Sequence, residues 1–166
     1  QCFYYYNGIF NKAQEIGRKE NNPLPSKEDN WIIRDIVDCI FCHKEKLVTD
    51  IVYEDNLVMA FMDMDPINEG HILLVPKEHY LDVDEIPDET LSHLMIVSKK
   101  VVSALKEIYK PNGYSIMQNG GEFNDVGHYH LHIFPRYIGD GFGWTYGEDA
   151  KNVNAEIAKR IRDRIN

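Results

Sequence analysis

The chain has 166 residues, with 27 acidic side chains against 18 basic ones and a net charge of −9. That balance lacks the electrostatic footprint of a duplex DNA or RNA binder, so no nucleic-acid partner is expected and any nucleotide must be a small ligand. At 43% hydrophobic and 27% charged residues the composition is that of a globular chain, and no apolar run of about 18 residues is present, so no membrane partner is expected.

Residues 1–30 read as an N-terminal extension, in which the aromatic Tyr4, Tyr5 and Tyr6 are followed by the proline-broken loop Asn21–Ser26. The first thirty residues lack the basic-then-apolar layout of a secretory signal, and a cytoplasmic location is expected by default. Residues 31–166 read as a single domain. A short helix carrying Trp31, Ile32, Ile33 and Ile36 on one side leads to Cys39 and Cys42. In a reducing compartment this C-x-x-C pair reads as half a metal site or, alternatively, as a redox pair.

Leu47–Tyr53 and Leu57–Met62 are expected strands, rich in residues that suit a half-buried pleated surface, with Glu54-Asp55-Asn56 as the turn. His71–Val75 is a short apolar strand stopped by Pro76. From Pro87 to Tyr109, Leu91, Leu94, Met95, Val101, Val102, Leu105 and Ile108 recur at spacings of three and four. They predict a long amphipathic helix, begun by Pro87, Asp88 and Glu89 and ended by Pro111-Asn112-Gly113. His93, on its polar side, reads as solvated.

Tyr114–Gln118 and His128–Arg136 are expected strands joined by the polar loop 119–127. A glycine-rich run, 139–143, then leads to a final helix with Val153, Ile157, Ile161 and Ile165 facing inward. Strands on both sides of one long helix give an α+β domain with a mostly antiparallel sheet.

The segment His128-Tyr129-His130-Leu131-His132 concentrates the chemistry. Residues two apart on a strand share a face, so three imidazoles point one way while Tyr129, Leu131 and Ile133 point to the other. Burying three such groups together is costly unless each has a partner. Clusters of this kind serve as metal ligands, phosphate binders or acid–base machinery.

This alternation, continued by Ile133-Phe134-Pro135-Arg136, resembles the signature of the histidine triad (HIT) family. The likeness extends through Cys39-Ile40-Phe41-Cys42, Val52-Tyr53-Glu54-Asp55, Ala60-Phe61-Met62-Asp63, Gly70-His71 and Val75-Pro76-Lys77-Glu78-His79. It spans roughly residues 38 to 146. The resemblance implies a HIT-like α+β fold with one long and one C-terminal helix, assembled as a homodimer, and a purine nucleoside phosphate as substrate.

The activity it implies is hydrolysis at the α-phosphate through a covalent nucleotidyl-histidine. Adenosine phosphoramidates, aminoacyl-adenylates or dinucleoside polyphosphates are the substrates of that class. A nucleotidyl transferase and a nucleotide-sensing binding protein are the alternatives. Residue by residue, His130 matches the nucleophile. His132 matches the histidine that contacts the phosphate and assists proton transfer, and His71 the fourth histidine supporting the nucleophile's pocket. Taken alone, His71 reads as a core histidine at a strand start.

Asn119, with Gln118 beside it, matches amides near the phosphate, and Asp63 the acid that accepts hydrogen bonds from ribose hydroxyls. Phe41 and Phe61 are candidates for the nucleobase wall, with a plain core role as the alternative. Where members carry Ala-Gly-Gln-x-Val before the triad, this chain has Phe123-Asn124-Asp125-Val126-Gly127. A neutral donor is missing there, and Asp125 in its place would repel phosphate.

Cys39 and Cys42 have the spacing of structural zinc knuckles. In zinc-bearing relatives, related uridylyltransferases included, the remaining ligands are the histidine after the second of these strands and the first triad histidine. Those positions are His79 and His128 here, and the zinc implied is structural. His43 competes for the role but adjoins Cys42; two free buried thiols are the bland alternative. Trp144 and Tyr146 lie where some members send residues toward a partner subunit, the simpler role for Trp144 being packing under a loop.

Overall fold

The computed structural model describes residues 39–145 and 155–165. The short helix expected near Trp31, and Val153 and Tyr146, lie outside those residues. Five antiparallel strands form one sheet: β1 (Ile51–Glu54), β2 (Val58–Met62), β3 (Ile72–Pro76), β4 (Gly113–Met117) and β5 (Leu131–Arg136), in the order β1-β2-β3-β5-β4. The long helix α1 (Asp88–Tyr109) lies between β3 and β4 in sequence, and α2 (Ala155–Ile165) ends the described chain.

The sheet is covered on both faces, which explains why β3 is buried at every residue. Val58 and Ala60 of β2, Ile72 and Leu74 of β3, and Leu131 and Ile133 of β5 pack with Leu94, Val97, Val101 and Leu105 of α1. The opposite face joins Met59, Phe61, Leu73 and Val75 to Cys39 and Phe41. Each fully buried Leu or Phe contributes about 1.5–3 kcal/mol from its removal from water. The Cys39–Cys42 segment is therefore a second layer over the sheet.

Several expectations need correction. The first strand begins at Ile51, not Leu47, because Lys44–Lys46 form a 3-10 turn and Thr49 donates its hydroxyl to the Met62 carbonyl at 2.7 Å. The strand of the triad begins at Leu131; His128 to His130 lie just before it, held where Tyr129 N–H donates to Tyr80 O at 2.7 Å. On α1, Met95 and Ile108 are exposed, because Val97 and Ser98 occupy the sheet-facing stripe.

His93 is not a solvated side chain. Half-buried, its Nε2 meets Asp55 Oδ2 at 2.6 Å. The same carboxylate accepts from the Tyr53 hydroxyl and from the N–H groups of Leu57 and Val58. This knot closes the β1–β2 turn against α1. The isoleucines of α2 do not face inward either: Ile157, Ile161 and Ile165 are exposed, as is Trp144, which packs under no loop.

Candidate active site and metal centre

β3 and β5 are adjacent and antiparallel, with Leu73 opposite His132 and Ile72 opposite Ile133. This register brings His71, at the head of β3, beside the triad, although 61 residues separate it from His132. Gly70 permits the approach: its φ is +88°, and a Cβ there would lie 2.5 Å from the Tyr109 ring. Asn68 fixes the same loop, its amide donating to Pro135 O at 2.9 Å and to Asp140 Oδ2 at 3.0 Å. Asp140 is in turn gripped by Arg136 at 2.6 and 2.9 Å. No spacing rule exposed that anchor in the sequence.

Hydrogen bonds settle the imidazole tautomers. His130 Nδ1 lies 2.7 Å from the His128 backbone carbonyl, which only accepts, so Nδ1 carries the proton and Nε2 the lone pair. The Ile67 N–H donates to His71 Nδ1 at 3.2 Å, leaving Nε2 of His71 to donate to His132 Nδ1 at 3.1 Å. His132 then holds its own proton on Nε2.

Burial, reinforced by the charge of His130, pushes His71 down to about 4. Burial, then the charges of His130 and His71, takes His132 to about 3. Both rings are neutral at pH 7. Asp63 Oδ2 stands 3.2 Å from His71 Nδ1 and 4.0 Å from His132 Nδ1. With both rings neutral these approaches are not ion pairs, and burial raises the Asp63 carboxyl above its ordinary range.

Beside these groups lies a cavity of about 520 Å³ whose lining includes Phe41, Phe61, Asp63, Ile40, Leu47 and Leu73. Phe41 meets Phe61 with ring centroids 5.1 Å apart and touches His130 edge-on at 5.7 Å. Both phenylalanines are core residues and cavity wall at once. A largely apolar chamber that also carries the Asp63 and Asp65 carboxyls, with Phe41 linking it to His130, suits a small ligand that has an apolar ring and hydroxyl groups.

The loop between β4 and the triad spends several of its donors on the chain itself. The Gln118 amide donates to Asn119 O at 2.6 Å, so one of its N–H groups is spent on the chain itself. Asn124 donates to Leu81 O and accepts from Gly127 N, and Gly121 N–H donates to Asp82. Asp125 Oδ1 lies 3.7 Å from His130 Nε2.

A second cluster sits on the outer layer. Cys39, Cys42, His79 and His128 place their ligand atoms within 4.8 Å of one another. Cys39 Sγ and Cys42 Sγ lie 3.3 and 3.5 Å from His128 Nδ1, and Cys42 Sγ is 3.3 Å from His79 Nδ1. Tetrahedral Zn–S and Zn–N bonds would set such a separation at about 3.6 Å, so the donor set fits zinc.

His128 donates from Nε2 to Pro76 O at 2.9 Å, which turns the Nδ1 lone pair toward the sulfurs. Without a cation, burial and then the neighbouring Cys39 push the Cys42 thiol up to about 12. His43 pairs with Glu45 at 3.1 Å and is not one of the four.

A family model, the HIT domain, matches residues 44–139. The chain is 43% identical to an uncharacterized HIT-like protein of Methanocaldococcus jannaschii over 129 residues, 75% of this chain and 98% of the relative. It is 34% identical to the adenosine 5'-monophosphoramidase hnt1 of Schizosaccharomyces pombe over 135 residues, 75% of this chain and 98% of that one. Among solved structures, a Zn-bound histidine triad family protein from Mycobacterium smegmatis superposes with a TM-score of 0.60 at 30% identity, covering 68% of this chain and 85% of that one.

Proposed function

The chain belongs to the histidine triad (HIT) family, and on that premise we propose that it hydrolyses purine nucleoside phosphates at the α-phosphate, with His130 as nucleophile. The observation that carries this reading is the tautomer of His130. Its Nδ1 is committed to the His128 carbonyl, so the Nε2 lone pair is the reactive one.

Nε2 forms a bond to phosphorus while the bond from phosphorus to the leaving nitrogen or oxygen breaks, its electron pair going to the leaving atom. Water then cleaves the nucleotidyl-histidine, releasing the nucleoside monophosphate and restoring Nε2. His132 presents Nε2–H to the phosphate. Its Nε2–H also hydrogen-bonds the leaving atom, which takes a proton from water as its bond to phosphorus breaks, and the attacking water gives up its own proton to solvent. His71, donating to Nδ1, keeps that ring oriented.

Asp63 accepts from the ribose hydroxyls, Phe41 and Phe61 hold the base, and Asn119 with Gln118 contributes donors near the phosphate. Adenosine phosphoramidates head the substrate list, in keeping with the monophosphoramidase among the relatives.

Zinc, held by Cys39, Cys42, His79 and His128, would be structural. It would fix thiolate charge and tie the outer layer to the triad, supplying no step of the reaction. A homodimer and a cytoplasmic setting complete the reading; among the described residues β4 is an edge of the sheet.

The test is AMP release from adenosine 5'-phosphoramidate by the parent chain, His130→Ala and His130→Gly. Turnover falls about a thousandfold in both variants on this reading. Unchanged turnover in either removes the covalent step, binding without turnover in the parent favours a sensor, and a new nucleotide formed from an added acceptor favours a transferase.

A further inference from the structure

The loop before the triad places a carboxylate where the reaction would bring a second anion. Asp125 Oδ1 is 3.7 Å from the nucleophilic Nε2 of His130, and its side chain is 41% exposed, so it faces the mouth of the site. The position is held from several directions. Asn124 is hydrogen-bonded on both sides of its amide, Gly121 is tied to Asp82, and Val126 packs against the outer core cluster. No lysine or arginine occurs from residue 111 to residue 135, while Glu122 and Asp125 lie in that stretch. No positive side chain of this segment offsets the carboxylate.

In-line attack puts phosphorus about 3–3.5 Å from Nε2 and the leaving atom about 5 Å from it. Given the measured 3.7 Å, the leaving atom lies no more than about 9 Å from the Asp125 carboxylate. That upper bound is comparable to the screening length of about 8 Å at physiological salt. The carboxylate therefore acts on any charge carried next to the leaving atom, wherever in the mouth of the site the leaving group points. Its field also reaches the ribose side, since Asp125 is among the charges that raise the Asp63 carboxyl.

Resting on the hydrolase reading above, we propose that Asp125 is a specificity-determining residue. It selects substrates whose leaving group carries an ammonium close to the scissile bond and discriminates against polyphosphate leaving groups. The favoured class is a nucleoside 5'-phosphoramidate of a short diamine. The disfavoured class is a dinucleoside polyphosphate, whose leaving group places further phosphate charge against the carboxylate. Selection works chiefly by repelling the wrong substrate.

The experiment compares kcat/KM of the full chain and of Asp125→Asn, which is nearly isosteric, for three AMP derivatives. These are the phosphoramidate of ethylenediamine, the phosphoramidate of propylamine, and diadenosine triphosphate. The parent prefers the ethylenediamine derivative to the triphosphate, and Asp125→Asn shrinks that preference on the order of tenfold, with the propylamine compound in between. Raising salt erodes the preference in the parent and not in the variant. Asp125→Ser repeats the measurement with a different neutral side chain.

A purely structural role would lower all three values together and leave their ratios unchanged, which overturns the proposal for Asp125 while the hydrolase reading stands. No turnover of any of the three by the parent overturns both.

Discussion

His71 Nε2 donates to His132 Nδ1 across 3.1 Å, and the two residues come from neighbouring antiparallel strands. The contact decides which nitrogen of His132 carries its proton. In His71→Ala the His132 ring loses the partner that fixes its tautomer. AMP release from adenosine 5'-phosphoramidate then drops about tenfold to a hundredfold in kcat, by analogy with other groups that orient a working imidazole. KM for the nucleotide changes little, because the cavity wall is untouched. A steady-state comparison checks this, and an equal effect on kcat and KM contradicts it.

Both buried imidazoles make the fold sensitive to acid. His71 and His132 titrate near 4 and 3 in the folded chain against 6.5 for an ordinary histidine. Between those values the unfolded chain binds more protons, so stability rises with pH across the window and falls as pH drops from about 6.5 toward 3. The depressed carboxyl of Asp55, held down by His93, the Tyr53 hydroxyl and two backbone N–H groups against its own burial, works in the same direction. For His71 alone the loss is on the order of 3 kcal/mol, at about 1.4 kcal/mol per unit. Urea midpoints from pH 7.5 to 4 trace it, and His71→Gln flattens the curve.

The outer cluster predicts metal content. Freshly purified chain carries about one zinc per chain, and Cys42→Ser carries less than a tenth of that. Chelation lowers the unfolding midpoint, because binding energy at such a site is folding energy. Metal analysis by mass spectrometry and thermal unfolding with and without chelator are the measurements. A zinc-free protein of unchanged stability contradicts the assignment.

Gly70→Ala tests the entry to β3. The residue would have to hold a φ of +88° with its Cβ 2.5 Å from Tyr109, so a loss of about 2–3 kcal/mol is expected. The loop that carries His71 moves with it, and phosphoramidase activity falls along with stability. Denaturant unfolding measures the first effect and AMP release the second.

Much of the domain could be read from periodicity. The triad's two-residue alternation separated three imidazoles from Tyr129, Leu131 and Ile133, and the structure keeps that division although the strand itself begins at Leu131. The spacing of Cys39 and Cys42 proposed a ligand pair, and the fold brings His79 and His128 to it.

Contacts set by strand register were not legible. Nothing local joins His71 to His132, which only the family resemblance places in one pocket, and nothing in the sequence joins Asn68 to Asp140. His93 misled for a related reason, since its partner Asp55 lies on a different element. The isoleucines of α2 misled because a 3.6-residue period marks one apolar face without saying that anything covers it.

His128 faces two ways. Its side chain joins the cysteines, while its backbone carbonyl fixes the proton of His130. Every amino acid supplies a carbonyl, so the tautomer of His130 does not depend on which residue stands at 128. A lineage could exchange the cysteine–histidine cluster for apolar packing and keep its reactive nitrogen. It could not reshape the path of the chain between 128 and 130 and do the same. The tautomer of His130 thus rests on the course of the backbone and not on the side chain at 128.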